Sequence, residues 1–378
     1  MKPYNILIAG AGGIGQATGL ILADSDVNTQ ILIGDRYEDH AIIAANSINH
    51  DSDTKDTAGF LFPSEGMSPT LKASLEKADV ILDCLPGSQA PRLAQYAHDF
   101  DCHYANLTEY VRETDLVTDI ASKSNKGFVL QTGLAPGYIN VIAHHLFQKF
   151  TAAYNVDKVE NIDMKVGALS QNARSPYFYA YTWSPIGVAT EYVKDALVVT
   201  DYKTSTIPSL SDTETILIDG IKYEEDFTSG GAADLPKALA GKVKNLNYKT
   251  LRYPGHYDWA RTIINSAPED QSKIDHLNET MLYTIPAVED DIVIVFASVK
   301  GKDDKDVLRA LEKSIKVYPS QVGKKTLRAI QTTTAAPLCE AAMLLLSGEY
   351  RGPVFQSQID TAKFLNGTFV SKVYGEIK

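Results

Sequence analysis

Asn5-Ile6-Leu7-Ile8-Ala9-Gly10-Ala11-Gly12-Gly13-Ile14-Gly15 decides how this chain is read. An apolar run of strand-forming residues passes directly into G-x-G-x-x-G and then into Ile14 to Ala23, whose apolar residues recur at helical spacing. Each glycine has its own reason. Gly10 permits a tight turn out of the strand, Gly12 lets the backbone approach a pyrophosphate, and Gly15 lets the helix pack on the sheet. With Gly13 and Ile14 they present a helix N-terminus, whose unpaired amides and dipole favour an anion. A lone glycine pattern is a weak signal. Here the second strand ends in Gly34-Asp35, a carboxylate about 20 residues beyond the glycines, where a ribose-binding acid belongs. Asp35 accepts both ribose hydroxyls in this reading and repels a 2′-phosphate, favouring NAD. Arg36 beside it would pair with that phosphate, so NADP stays open.

Working outward, residues 1–135 alternate short β-rich runs with helical stretches, the pattern of a doubly wound parallel sheet. Expected strands are Asn5 to Ala9, Gln30 to Ile33, Asp79 to Cys84, His103 to Asn106 and Phe128 to Gln131, with one short strand inside the loop-rich Asp51 to Pro69. Helical spacing marks Pro91 to Asp99. Leu85, Pro86 and Ser88 follow the strand Asp79 to Cys84, and Thr108 and Glu109 follow His103 to Asn106, so both loops belong to the edge that faces a coenzyme. Glu109 is then either an acid or base near the nicotinamide or a solvated loop carboxylate.

Residues 136–325 change character. Met164 to Leu169, Thr215 to Tyr223, Tyr248 to Arg252 and Asp291 to Val299 read as strands with few helices between them, which predicts an inserted α+β domain with a mostly antiparallel sheet. In residues 326–378, Leu327 to Gln331 reads as a strand, and Pro337 to Leu346 as a helix with proline near its start and Gly348 as its stop. This segment is expected to return to the first domain.

Composition narrows the partners. At 378 residues the chain exceeds what one core usually supports, and 44% hydrophobic with 22% charged residues describes an ordinary folded protein. A net charge of -11 and a pI near 5.2 disfavour nucleic acid and anionic lipid. The apolar stretch Ile6 to Ala11 is too short for a signal peptide, and no window reads as the roughly 18 apolar residues of a membrane span, so the expected location is the cytoplasm. Cys84, Cys102 and Cys339 lie far apart with no zinc spacing, which predicts free thiols in a reducing compartment and no metal site.

From Gln131-Thr132-Gly133-Leu134-Ala135-Pro136-Gly137-Tyr138-Ile139-Asn140 the sequence resembles the saccharopine dehydrogenase-like family, which includes saccharopine reductases and lysine 6-dehydrogenases. The likeness recurs in order at Ser184-Pro185-Ile186-Gly187 with Glu191-Tyr192, at Ile207-Pro208-Ser209-Leu210-Ser211, at Thr228-Ser229-Gly230-Gly231, and at Tyr248-Lys249-Thr250-Leu251-Arg252-Tyr253-Pro254-Gly255-His256. The resemblance implies a Rossmann domain interrupted by a substrate and dimerisation domain, and hence a homodimer. It also implies hydride exchange between NAD(P) and a carbon bearing an amino or secondary amine group. Two departures bear on the substrate. Ala135-Pro136-Gly137 stands where saccharopine reductases read Asp-Pro-Gly, and Ile186 stands where they read arginine in Ser-Pro-Arg-Gly. Both lose a group suited to holding one end of an amino acid. A homospermidine synthase-like use of NAD as a fixed prosthetic group is the alternative.

Oxidising an amine needs a hydride acceptor, a group to take the amine proton and often a base for water. His256 is the candidate for proton transfer, because imidazole titrates near neutrality, with Glu109 the other. His144 and His145 fall on an expected helix and read as fillers. Arg174 and Arg252 are the candidates for a substrate carboxylate, Thr228 and Ser229 for further anion contacts. The aromatic run Tyr177-Phe178-Tyr179-Ala180-Tyr181-Thr182-Trp183 reads either as a core or interface strand or as a surface attracting an ammonium.

Overall fold

Four consecutive residues with no exposed surface, Ile6 to Ala9, mark β1 (Tyr4–Ala9) as the centre of a parallel sheet in a computed structural model that describes residues 2–53, 56–108, 111–172 and 175–377. Glycines end β1 and open α1 (Gly13–Ala23). The chain continues through β2 (Thr29–Asp35), α2 (Glu38–Asp51), β3 (Thr57–Leu61), α3 (Pro69–Leu75), β4 (Val80–Asp83), α4 (Ala90–Asp99), β5 (His103–Asn106), α5 (Val111–Ala121) and β6 (Gly127–Val129). With β17 (Gly352–Val354), from near the end of the chain, these make a seven-stranded sheet in the order β17-β6-β5-β4-β1-β2-β3. Every pairing in it is parallel. The order reverses between β1 and β4, so the carboxyl ends of these two strands flank the crevice where such sheets take their ligands. The sequence therefore predicted the doubly wound sheet and six of its strands; the seventh, β17 at the edge beside β6, was not among the expected strands.

The next stretch runs α6 (Tyr138–Tyr154), β7 (Val159–Ser170), α7 (Pro185–Val193), β8 (Ala196–Thr200), β9 (Lys203–Ile207), β10 (Glu214–Ile218), β11 (Ile221–Phe227), α8 (Leu235–Leu239), β12 (Val243–Arg252), α9 (His256–Asn265), α10 (Lys273–Thr284), β13 (Asp291–Lys302) and β14 (Leu308–Val317). Its sheet has the order β10-β11-β12-β7-β13-β14, with β8 and β9 attached at β12. The sheet is antiparallel except where β7 and β12 run parallel. Then come β15 (Ser320–Val322), β16 (Lys325–Leu327), α11 (Ala329–Leu346), β17 (Gly352–Val354), α12 (Thr361–Leu365) and α13 (Thr368–Tyr374). The chain divides into one unit of Met1–Tyr138, Ser320–Leu327 and Gln331–Lys378, and a second of Ile139–Pro319 and Arg328–Ile330.

Three expectations are corrected. Thr215 to Tyr223 is a hairpin rather than one strand: Asp219 and Gly220 both take positive φ, 49° and 78°, the geometry of a two-residue turn that favours an Asp-Gly pair. The second domain is richer in helix than its β-rich runs suggested. Leu327 to Gln331 is not a strand beyond Leu327, because α11 begins at Ala329, and Pro337 lies in its interior. A proline there removes the amide that would bond to the carbonyl four residues back. That carbonyl, of Thr333, instead accepts the Tyr374 hydroxyl at 2.6 Å. Helix α11 also has the length and apolarity of a membrane span, with a mean hydropathy of 1.2, but 78% of it is buried within the protein. It is the one such helix among the described residues.

The start of α11 depends on one buried carboxylate. Asp291, at the first position of β13, accepts the amides of Ala329 and Ile330, each at 2.7 Å. Asp291→Ala removes the carboxylate acceptor of two buried N–H groups. It is expected to destabilise the protein by about 2–4 kcal/mol, read as a lower urea midpoint with an unchanged slope.

Candidate functional site

The coenzyme edge is built by backbone that admits no side chain at Gly10 or Gly15. Gly10 has φ of 106°, and a Cβ there would lie 2.8 Å from the carbonyl oxygen of Cys84. A Cβ on Gly15 would lie 1.8 Å from the carbonyl oxygen of Gly10, so helix and turn touch directly. Gly12 is the N-cap of α1, makes no side-chain cap, and has open space where a side chain would stand. Gly13 is exposed, and Ile14 is half-buried. An uncapped helix start facing open space suits a pyrophosphate. Asp35 ends β2 half-buried, and its two carboxylate oxygens accept the amides of Ala11 and Tyr37, both at 3.1 Å. The acid thus braces the glycine turn and retains lone pairs for ribose hydroxyls. Arg36 is exposed, with its guanidinium 4.9 Å from the centre of the Tyr37 ring. Leu85 is half-buried, Pro86 and Ser88 are exposed, and all three follow β4 at the same edge. Thr108 is buried just beyond β5.

The second unit gathers another set. Gly255, at φ of 99°, starts α9 and delivers His256 as its first residue. Arg252 ends β12 and is 1% exposed, and His256 has no exposed surface. The His256 Nδ1 lies 2.8 Å from the carbonyl oxygen of Tyr177, which can only accept, so Nδ1 carries the proton. Nε2 then accepts the hydroxyl of Tyr192 at 3.0 Å, and the Tyr192 oxygen accepts Arg252 Nε–H at 2.6 Å. The direction of all three bonds is fixed. The guanidinium also bonds the carbonyl of Leu251 at 2.9 Å and lies over the rings of Tyr179 and Tyr192, at 4.8 and 5.5 Å. The cation attracted by the aromatic run is therefore the chain's own arginine.

Burial, with the adjacent Arg252 charge, pushes the His256 imidazole down from 6.5 to about 3, and it is neutral at physiological pH. Thr228 Oγ1 is buried 2.6 Å from Thr250 Oγ1, and the Ser229 amide donates to the Glu191 carbonyl at 2.9 Å. His256 and Arg252 were expected to meet substrate directly. In the structure both ring nitrogens of His256, and Nε and Nη1 of Arg252, are engaged in internal hydrogen bonds. Glu109 and Arg174 lie outside the described residues. Three of the blocks quoted for the family likeness meet here, because α7 supplies Glu191 and Tyr192, the end of β11 leads to Thr228, and β12 and α9 supply Arg252 and His256.

Sequence reading missed Asp83, Tyr104 and Gln331. Gln331 Nε2 donates to the Gly13 carbonyl at 3.0 Å, a contact that no local pattern announces. Asp83 carried a signal, as the acid ending a strand that points to the crevice.

Sheet order, glycine turn and acid together define a Rossmann-type dinucleotide-binding protein. The chain belongs to the saccharopine dehydrogenase family: residues 6–132 match its NADP binding domain and residues 133–369 its C-terminal domain. Its fold is similar to that of apo saccharopine dehydrogenase (L-Glu forming) from Saccharomyces cerevisiae, with a TM-score of 0.73, 14% identity and coverage of 98% of both chains. It is similar also to the homospermidine synthase from Legionella pneumophila solved in complex with NAD, with a TM-score of 0.67, 12% identity and coverage of 100% of this chain and 90% of that one.

The neutral imidazole has a measurable signature. Below pH 6.5 the unfolded chain protonates this histidine while the folded chain does not until about pH 3, so stability falls as the pH drops through that window. The expected slope is about 1.4 kcal/mol per pH unit from this one proton. Comparing urea unfolding of wild type and His256→Asn from pH 4 to 7 isolates it. Parallel pH dependences would show that the histidine titrates normally.

Proposed function

We propose that this chain is an NAD-dependent dehydrogenase that moves a hydride between the nicotinamide and a carbon bearing an amino or secondary amine group of an amino acid. The observation that carries the reading is the glycine turn braced by Asp35 at the β1/β4 reversal, in a chain matched along nearly its whole length by the two domains of one dehydrogenase family. The coenzyme, when bound, supplies the hydride acceptor or donor. Gly10, Gly12, Gly13, Ile14 and Gly15 hold its pyrophosphate, Asp35 its ribose, and Leu85, Pro86, Ser88 and Thr108 the edge further along the sheet. Asp35 favours NAD, while Arg36 at the neighbouring position leaves a weaker affinity for NADP.

In the second unit the Arg252–Tyr192–His256 relay acts as a positioning group. It keeps a charged guanidinium and a neutral imidazole in one fixed arrangement, and so holds the aromatic run from Tyr177 onward in place. Saccharopine, lysine and related amines are the substrate class. Alanine at 135 and isoleucine at 186 favour a substrate other than saccharopine itself, since neither can bind an ionic group.

Two measurements test the reading. NADH is expected to bind at least about 10-fold more tightly than NADPH, and Asp35→Ser is expected to narrow that ratio by about 10-fold or more, since a good polar contact is worth roughly 1–2 kcal/mol. Equal discrimination in the variant removes Asp35 from the ribose site. The second is steady-state absorbance at 340 nm with lysine, saccharopine and carboxylated polyamines. Turnover of free coenzyme with an amine supports a dehydrogenase. NAD released only on denaturation, with no consumption of free NADH, indicates the prosthetic use instead.

A further inference from the structure

Asp83 closes β4 and is 3% exposed. One of its oxygens, Oδ1, accepts the amide of Leu85 at 3.0 Å, and the other, Oδ2, accepts the hydroxyl of Tyr104 on β5 at 2.7 Å. The same Tyr104 oxygen lies 3.4 Å from the carbonyl of Ala90, the first residue of α4. Carboxyl and phenol together therefore tie both ends of the turn Leu85 to Gln89.

That turn packs on the glycine turn. The Cys84 amide donates to the Ala9 carbonyl at 2.9 Å, and a Cβ on Gly10 would meet the Cys84 carbonyl oxygen at 2.8 Å and the Leu85 side chain at 3.2 Å. A shift of Leu85 is thus felt at the first glycine of the coenzyme edge.

Burial raises the Asp83 carboxyl from 3.8 to about 7, opposed by the hydrogen bonds from Tyr104 and Leu85 and by the charge of Arg92 on α4. The adjacent Cys84 thiol, pushed by burial to about 12, stays uncharged and takes no part. Both protonation states can be satisfied. Ionised, Asp83 accepts from Leu85 and Tyr104; protonated, Oδ2–H donates to the Tyr104 oxygen, and the phenol's own hydrogen turns to the Ala90 carbonyl. What changes is the grip on Leu85, because a hydrogen bond to a charged acceptor is roughly twice as strong as one to a neutral acceptor.

We propose that ionised Asp83 is the positioning group of the coenzyme edge: its carboxylate fixes the Leu85 to Gln89 turn against the glycine turn, and protonation loosens that turn and weakens dinucleotide binding. The inference rests on the dinucleotide reading of this edge and adds pH control to it.

The experiment is NADH and NAD binding, followed by fluorescence and calorimetry from pH 6 to 8.5, with wild type, Asp83→Asn and Tyr104→Phe, alongside thermal melts of each. For wild type, Kd is expected to fall about fivefold between pH 6 and 8, with a midpoint near 7. Asp83→Asn, which copies the neutral carboxyl, is expected to hold the weak value at every pH. Tyr104→Phe removes a donor from the carboxylate and is expected to move the midpoint upward. Stability runs the other way. The unfolded Asp83 ionises near pH 4 and the folded one near 7, so its contribution to stability falls as pH rises between those values. Asp83→Asn relieves a buried charge at pH 8 and is expected to raise Tm there by a few degrees. Greater stability with weaker binding is a pair that a purely structural role does not produce. A wild-type Kd independent of pH, wild-type affinity in Asp83→Asn at pH 8, or joint loss of stability and affinity in that variant would each overturn the proposal. Failure of wild type to bind either coenzyme at any pH refutes the dinucleotide reading itself.

Discussion

The contact between the Gly10 carbonyl and the backbone of Gly15 is the constraint from which the coenzyme edge follows. A side chain at residue 15 would begin 1.8 Å from that oxygen, so α1 can start this close to β1 only without one. The close start places an uncapped helix N-terminus at the reversal between β1 and β4. Asp35 then has a second task besides any ligand, since its bond to the Ala11 amide holds the turn in shape. The same carboxylate that would select a ribose is part of the loop's internal structure, and coenzyme preference and loop geometry are coupled through one side chain.

In the second unit the organising element is a charge removed from water. Arg252 is buried with hydrogen bonds from Nε to Tyr192 and from Nη1 to the Leu251 carbonyl, and with its guanidinium over the rings of Tyr179 and Tyr192. A buried guanidinium without such partners would be strongly unfavourable. The aromatic run, the Glu191-Tyr192 pair and the Tyr248 to His256 block are far apart in sequence but serve this one burial.

Legibility in sequence followed the range of the physics involved. The parallel sheet could be read because β-rich apolar runs, helical spacing and glycines are local signals: β1, β2, β4, β5 and β6 fall within a residue or two of their expected positions, whereas the three-residue edge strand β17 is too short to carry such a signal. The Asp219-Gly220 turn was also a local signal, masked by the apolar residues on both sides of it. The interior Pro337 misled because a tertiary contact, the Tyr374 hydroxyl on the Thr333 carbonyl, takes up the acceptor that proline leaves unmatched. His256 and Arg252 were expected at the substrate, and their hydrogen bonds to Tyr177, Tyr192 and Leu251 could not be read from sequence, because burial and the partner of each nitrogen are properties of the folded chain alone.

Arg252, His256 and Asp83 are all almost completely buried, and they respond differently for a common reason. Desolvation penalises the charged form of each. Arg252 keeps its charge, since its intrinsic pKa is far above any physiological pH and its neighbours Tyr192, Tyr179 and Glu191 all favour the cation. His256 starts near neutrality beside that same cation and loses its charge entirely. Asp83 lies between the two cases, because burial lifts its carboxyl while two donors and Arg92 pull it down, and the balance falls close to neutral pH. Of the three, only Asp83 is held close to neutral pH, and its bond partner Leu85 packs directly against Gly10. A buried acid poised in this way, one contact from the coenzyme turn, is where a change in proton concentration reaches the binding edge without first unfolding it.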